Sequence, residues 1–283
     1  MIEEVIFGNI EMPGELIRLI IAFAGVAIAA YFDLFNNKNI PDYFLYGFLA
    51  VAFVVNAIFY QEDLFIFSIL VAVFISAIGY VFYRLGQIGG ADLFVLASVM
   101  LLLPITPSFV TMPITMPFIF PVLIFGGVLF AAYTMINFGI KLLKKQENHP
   151  KWLFLLLIIP YLVFSYVYVS SMLFSPLYLL ILTVLFIAII FFMVFRDDLM
   201  GLLAEKMQVN QLEEEDVLAL ELMDKEVVKK YDLKRLATKK EIERMQELGV
   251  EEVMVYTQMP PFIPFILVGM ALALALGGSL LFL

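Results

Sequence analysis

Eight stretches of mainly apolar residues, near 14–33, 43–60, 64–83, 92–112, 120–140, 152–172, 176–195 and 261–283, run through the chain. A helix needs about 20 such residues to cross a bilayer, where every backbone N–H and C=O must be satisfied within the protein. The composition agrees, with 63% of residues hydrophobic and 15% charged, against roughly half and a quarter in a soluble domain. We therefore expect an all-α polytopic membrane protein. The fourth stretch is the least regular. Pro104 and Pro107 interrupt it, and Pro113, Pro117 and Pro121 follow, which suits a short helix joined to a re-entrant or interfacial segment. Merging one pair of stretches lowers the count, so the expected range is six to eight transmembrane helices.

The basic residues orient the chain. With eight spans, one side receives Lys38, Arg84, Lys141, Lys144, Lys145, Lys151 and Arg196, together with every basic residue of 196–256, and the other receives only Arg18. Cytoplasmic loops carry the excess of lysine and arginine. The loops 34–42, 84–91 and 141–151 are thus expected at the cytoplasmic face of the plasma membrane, with both termini outside. Met1-Ile2-Glu3-Glu4 opens with acids where a signal peptide carries lysine or arginine. Three parts are expected: a transmembrane domain over 1–195, a cytoplasmic soluble module over 196–256 and a C-terminal transmembrane helix over 257–283. In the module, Thr238-Lys239-Lys240-Glu241 reads as a capping box. Gly249 ends that helix, Val250–Tyr256 reads as a strand, and Leu212–Met223 fits either strand or helix. A small α/β or α+β fold follows, with a core too small to stand alone.

The chemistry is narrowed by what is missing. The chain has no cysteine and one histidine, His149, so no thiolate nucleophile, zinc-thiolate site or histidine-rich metal centre is available. His149 reads as an exposed loop residue. The net charge of −9 argues against nucleic acid as a partner. No metal or cofactor site is read.

Two carboxylates remain. Asp33 closes the first apolar stretch, and Asp92 opens the fourth in Gly89-Gly90-Ala91-Asp92. Both fall on the cytoplasmic side. Carboxyls brought close share one proton, because neighbouring like charges cannot both ionise. The ionised one accepts a proton from water attacking a peptide carbonyl while the protonated one donates to the developing oxyanion. Gly89 and Gly90 suit a sharp turn and a close substrate backbone. Ile40 and Pro41 stiffen the turn into the second stretch. Taken singly, Asp92 also reads as a helix N-cap and Asp33 as an interfacial acid, as do Asp42 and Asp63.

These residues resemble the archaeal type IV prepilin and preflagellin peptidases, membrane proteases of the GxGD aspartyl class. That pattern has an Asp at the end of the first helix, then a short loop and an Ile-Pro pair, here Asp33, Ile40 and Pro41. A second Asp enters the fourth helix from a glycine motif, here Gly89, Gly90, Ala91 and Asp92, with Ala91 departing from the strict glycine form. The resemblance implies catalysis by Asp33 and Asp92, and extends to Val209–Ala219, Val253–Tyr256 and Pro261-Phe262-Ile263-Pro264-Phe265; it is least over about 104–195. It implies removal of a short basic leader before a hydrophobic helix, from archaellin or pilin precursors, at the cytoplasmic face. Bacterial relatives often add a cysteine zinc loop and N-methylation; without cysteine, proteolysis alone is implied here. The acids Glu213, Glu214, Glu215 and Asp216 suit attraction of a basic leader, or simply a solvated stretch.

The residues leave two other readings open. One is a proton-coupled transporter with Asp33 and Asp92 as relay groups. The other is a non-catalytic membrane scaffold whose 196–256 module binds a partner. Trp152 reads as an interface anchor, and Gly126-Gly127, Gly269 and Gly277-Gly278 as close helix contacts.

Overall fold

The computed structural model describes residues 11–36, 39–84, 88–110, 116–145, 149–172, 174–213, 216–256 and 260–276, and is mostly helical, at 73%. Every apolar stretch forms a helix. These are α1 (Glu15–Phe35), α2 (Asp42–Ile58), α3 (Glu62–Arg84), α4 (Gly90–Leu102), α5 (Ile119–Lys144), a 3-10 turn (Trp152–Leu157) running into α6 (Ile158–Val169), α7 (Pro176–Val194) and, last in the chain, α11 (Ile263–Leu276). Among the described residues, five segments are long and apolar enough to cross a membrane: α1, α3, α5, Trp152–Val169 and α7. The shorter apolar helices are α2, α4 and α11.

Two boundaries differ most from the sequence reading. The fourth stretch is helical only to Leu102, not to 112, because proline at 104 cannot continue the hydrogen-bond ladder. The backbone over 103–107 is non-helical yet buried, as irregular backbone at this depth must be. The fifth stretch continues through Lys141 to Lys144. Cations in a last turn favour the helix by meeting its negative C-terminal dipole.

α4 is the central element, packed on α3, α2 and α1, while α11 lies between α5 and α1. Small residues set the α5–α11 approach. A Cβ added to Gly269 would lie 2.5 Å from the Val122 carbonyl oxygen, and one on Gly126 would lie 2.8 Å from that of Phe265. Gly127, expected to share this role, faces open space. Gly277 and Gly278 lie outside the described residues.

The polar centre of the bundle is Arg18, only 1% exposed. Its Nε donates to Pro13 O at 2.9 Å. Its Nη1 reaches Asn56 Oδ1 at 2.9 Å, Leu101 O at 3.3 Å and Leu102 O at 3.3 Å. Its Nη2 reaches Phe59 O at 3.1 Å. Asn56 passes the network to α3 through Ser68 Oγ at 2.6 Å. A buried cation is tolerated when its donors are satisfied, and the terminal carbonyls of α4 carry the negative end of that helix's dipole. The clamp holds the start of α1 against the end of α4. The two helices therefore run antiparallel, and the end of α1 shares one end of the bundle with the start of α4.

α5 overshoots that end. Its Phe130 ring meets Phe262 and Phe265, at the start of α11, with centroids 5.2 and 5.4 Å apart. From there α5 continues to Lys144, about 21 Å along its own axis. On this extension Phe138 and Leu142 form a cluster with Leu199 of α8 (Arg196–Leu203), which leads into the soluble module.

The module holds a two-stranded antiparallel sheet, β1 (Ala204–Gln208) with β2 (Glu252–Tyr256), in register from Ala204↔Tyr256 to Gln208↔Glu252. Between them lie α9 (Lys225–Lys230) and α10 (Lys239–Glu247). Val253 and Val255 alternate inward onto Val209, Leu218 and Met245. The 212–223 stretch is neither long strand nor α-helix: Val217 and Leu218 make single bridges and Leu220–Leu222 is a 3-10 turn. The capping box is half formed. Thr238 Oγ1 accepts from Glu241 N at 3.4 Å, but the Glu241 carboxylate turns to Lys234 and Arg244, at 2.6 and 2.7 Å.

Candidate functional site

Asp33 lies in the last turn of α1 and is 7% exposed. Its Oδ2 accepts the backbone N–H of Ile263 at 3.1 Å, across 230 positions of sequence. Ile263 is the first residue of α11. The first N–H groups of a helix have no partner within it, and a carboxylate there also meets the positive end of the dipole. Asp33 thus holds α11 as a cap supplied from another helix. Pro261 and Pro264 bracket this N-terminus, a signal readable in the sequence; the identity of the acceptor was not readable, because nothing local links it to α1.

Asp92 is the third residue of α4, and its Oδ2 accepts the N–H of Gly89 at 3.1 Å. The N-cap is Gly89, so the expectation that Asp92 itself caps the helix is corrected: it reaches back to the cap from the first turn. The turn into the helix does not call on a glycine conformation at Gly89, whose φ of −71° and ψ of 150° any residue adopts. A Cβ at Gly89 would lie at ordinary contact distance, 3.4 Å, from Asp92 Oδ2.

Ile40 is buried at the same end, and Pro41 caps α2, its carbonyl accepting from Phe44 N at 2.9 Å and Leu45 N at 3.2 Å. Ala91 packs partly buried on the main core, and the Phe94 ring meets Tyr46 of α2 edge-on at 5.3 Å. Exposed tyrosines Tyr31, Tyr43, Tyr46 and Tyr80 lie within a turn or so of the α1, α2 and α3 ends at this face, where aromatic side chains suit a membrane–water boundary. The antiparallel clamp brings Asp33 and Asp92 to one end of the bundle, with Ile40, Pro41, Gly89, Gly90 and Ala91 at that end as well. Chemically, the end offers two carboxylates, each held by a backbone donor at a helix terminus.

Beyond this end, Asp198 and Asp216 are held by local contacts. Asp198 in α8 is 3% exposed; it accepts from Lys145 Nζ at 2.6 Å and the His149 N–H at 2.8 Å. Burial alone would push its carboxyl up, but those two donors and their charge outweigh this and hold it below the usual aspartate range. His149 is exposed, as expected. Of the acidic run, Asp216 is half-buried and accepts the Glu213 N–H at 2.8 Å; burial pushes its carboxyl up. Asp216 is therefore not part of a freely solvated stretch, while Glu214 and Glu215 lie outside the described residues.

No protein-family model, no curated protein and no solved structure matches this chain.

Proposed function

We propose that this chain is a membrane aspartyl endopeptidase that removes a short basic leader from type IV pilin-like or archaellin precursors at the cytoplasmic membrane face. The observation that carries the reading is the clamp-enforced arrangement of two aspartates, from α1 and α4, at one end of one helical bundle. The resemblance of Asp33-(loop)-Ile40-Pro41 and Gly89-Gly90-Ala91-Asp92 to the GxGD proteases supports it. So does the basic residue bias of the same end, which favours a cytoplasmic face. All eight apolar helices are taken to cross or enter the bilayer.

In this mechanism the two carboxyls share one proton and titrate as a pair. The ionised member removes a proton from water, whose oxygen attacks the scissile carbonyl carbon. The protonated member donates to the carbonyl oxygen, giving a neutral gem-diol. Collapse of that intermediate breaks the C–N bond. One carboxyl takes the hydroxyl proton back and the other protonates the leaving amine, which restores the starting state. No further group is required.

A second reading has its own observation. The two hydrogen bonds, Ile263 N to Asp33 and Gly89 N to Asp92, also suit purely structural carboxylates at helix termini. Asparagine separates the readings, because its side-chain oxygen caps a helix nearly as well as aspartate but cannot exchange protons with water. Purified wild type, Asp33→Asn and Asp92→Asn are incubated with a precursor of basic leader plus hydrophobic helix. The protease reading expects cleavage by wild type and a loss of about 10³-fold in either variant, with unchanged melting temperatures. Cleavage at wild-type rate by either Asn variant refutes it.

A further inference from the structure

A cleft of about 310 Å³ opens between the membrane bundle and the soluble module, lined by Arg84, Lys234, Arg235, Leu236, Thr238 and Glu241. Arg84 is the last residue of α3; the others belong to the module segment entering α10. Three cations face one carboxylate. Two of the cations are partly committed: Lys234 Nζ lies 2.6 Å from Glu241, and Arg235 pairs with Glu221. Glu241 is in turn shared with Arg244 at 2.7 Å. Among the described residues, Arg84 has no hydrogen-bond or ion-pair partner, and it is exposed. Lysine keeps donors beyond a single pairing and arginine has five in a planar fork suited to phosphate. The cleft thus presents an excess of positive charge and unused donors, and a volume that admits a small anionic group.

The depth of Arg84 selects the source of the anion. α3 is apolar along its length, with a mean hydropathy of 2.6 in its best window, and its final turn exposes Tyr80, Val81 and Phe82. A guanidinium at the end of such a helix lies at headgroup depth, above an apolar lane suited to acyl chains. A soluble anion would use the cations and leave that lane idle; an anionic lipid uses both. Basic pockets at this depth attract anionic headgroups at about 1 kcal/mol per lysine or arginine, or about fivefold in affinity per side chain.

We propose that this cleft binds the phosphodiester headgroup of an anionic membrane lipid, with Arg84 from the bundle and Lys234 and Arg235 from the module as its donors, so that the lipid fastens the module to the bundle. Binding is read without reference to cleavage, so the result stands or falls apart from the proposed peptidase.

The experiment uses the purified full chain in neutral detergent, with matched additions of phosphatidylglycerol or phosphatidylcholine and retained lipid counted by native mass spectrometry. Wild type is expected to retain phosphatidylglycerol at concentrations where phosphatidylcholine is lost. Arg84→Gln and Lys234→Gln are each expected to weaken that retention about fivefold, while Arg84→Lys keeps most of it. Lys206→Gln, an exposed cation paired with Glu252 outside the cleft, is expected to change nothing. Equal retention of both lipids overturns the proposal, as does undiminished retention by folded Arg84→Gln. Displacement of the lipid by millimolar inorganic phosphate would assign the cleft to a free anion and would likewise overturn it.

Discussion

The two ends of α1 hold buried charges of opposite sign in different ways. At one end Arg18 gives its donors to acceptors on its own entry turn, on and just beyond α2, and on α4, and Asn56 extends the network to α3. At the other end Asp33 receives the first N–H of α11, and Asp92 receives the N–H before its own helix. A network of many mutually dependent bonds specifies a single arrangement, because any displacement strands a buried donor or acceptor. The aspartates instead take backbone N–H groups at helix starts, and at α11 the choice of donor is narrow, because Pro264 has no N–H and the Phe265 N–H donates to Phe262 O. The arginine end is thus held by a buried side-chain network and the aspartate end by backbone donors at helix starts, where the proposed carboxyl pair would work.

The largest expected effect lies at the aspartate end. Asp33→Asn should lower cleavage of the precursor by about 10³-fold while leaving unfolding unchanged. Asp33→Ala should lose the same activity and also about 1–3 kcal/mol of stability, since Ile263 N–H is left without its acceptor. Unfolding in mild detergent beside a cleavage assay checks both, and equal stability of the Ala and Asn variants would remove Asp33 as the cap of α11.

The arginine end should answer in the opposite sense. Arg18→Met leaves the α4 carbonyls and Asn56 without their donor, with an expected loss of about 3 kcal/mol of stability. Arg18 is distant from the aspartates, so the folded fraction should retain cleavage. If Arg18→Met abolished cleavage without changing unfolding, the division between the two ends would fail.

A smaller effect is expected where α11 meets α5. Gly269→Ala forces a methyl against the Val122 carbonyl, and crowding of this kind costs about 1–3 kcal/mol. Gly127→Ala, on the open side of α5, should be silent. Equal melting temperatures for the two would contradict the close packing that sets the height of Ile263.

The smallest effect is a pH dependence beyond both ends. Asp198 has its folded-state pKa lowered, so it adds stability above its unfolded pKa, and that stability is lost as the pH falls below about 4. Asp198→Asn should be less stable than wild type at neutral pH and should show a shallower acid-side decline. A variant curve parallel to wild type between about pH 5 and pH 2 would show that the Lys145 and His149 contacts do not hold this carboxylate.

The helices and the aspartates were legible because their signals are local. Apolar length, Pro41, the Gly89–Asp92 run and Gly249 each mark a helix boundary within a few residues. Pro104 was also visible, but the helix stops two residues before it, closer than the hydrophobicity of 103–112 suggested. The Arg18 clamp was not legible. Arginine carried only a topological meaning in the sequence, and its acceptors are carbonyls and an amide up to 84 positions away. Nor was the Asp33–Ile263 bond, which joins the first and last helices of the core. Glu241 fits a capping-box pattern, yet it is drawn to Lys234 and Arg244 instead, since a charged partner outcompetes a backbone N–H.

The most direct test of the shared-proton pair is single-turnover cleavage of one precursor by wild type, Asp33→Asn, Asp92→Asn and the double variant, each confirmed as folded. Residues that act as one unit show losses that do not add. The double variant is expected to be no slower than either single variant. Losses that multiply in the double variant, or a single variant that retains most of the wild-type rate, would show that Asp33 and Asp92 do not work as a pair.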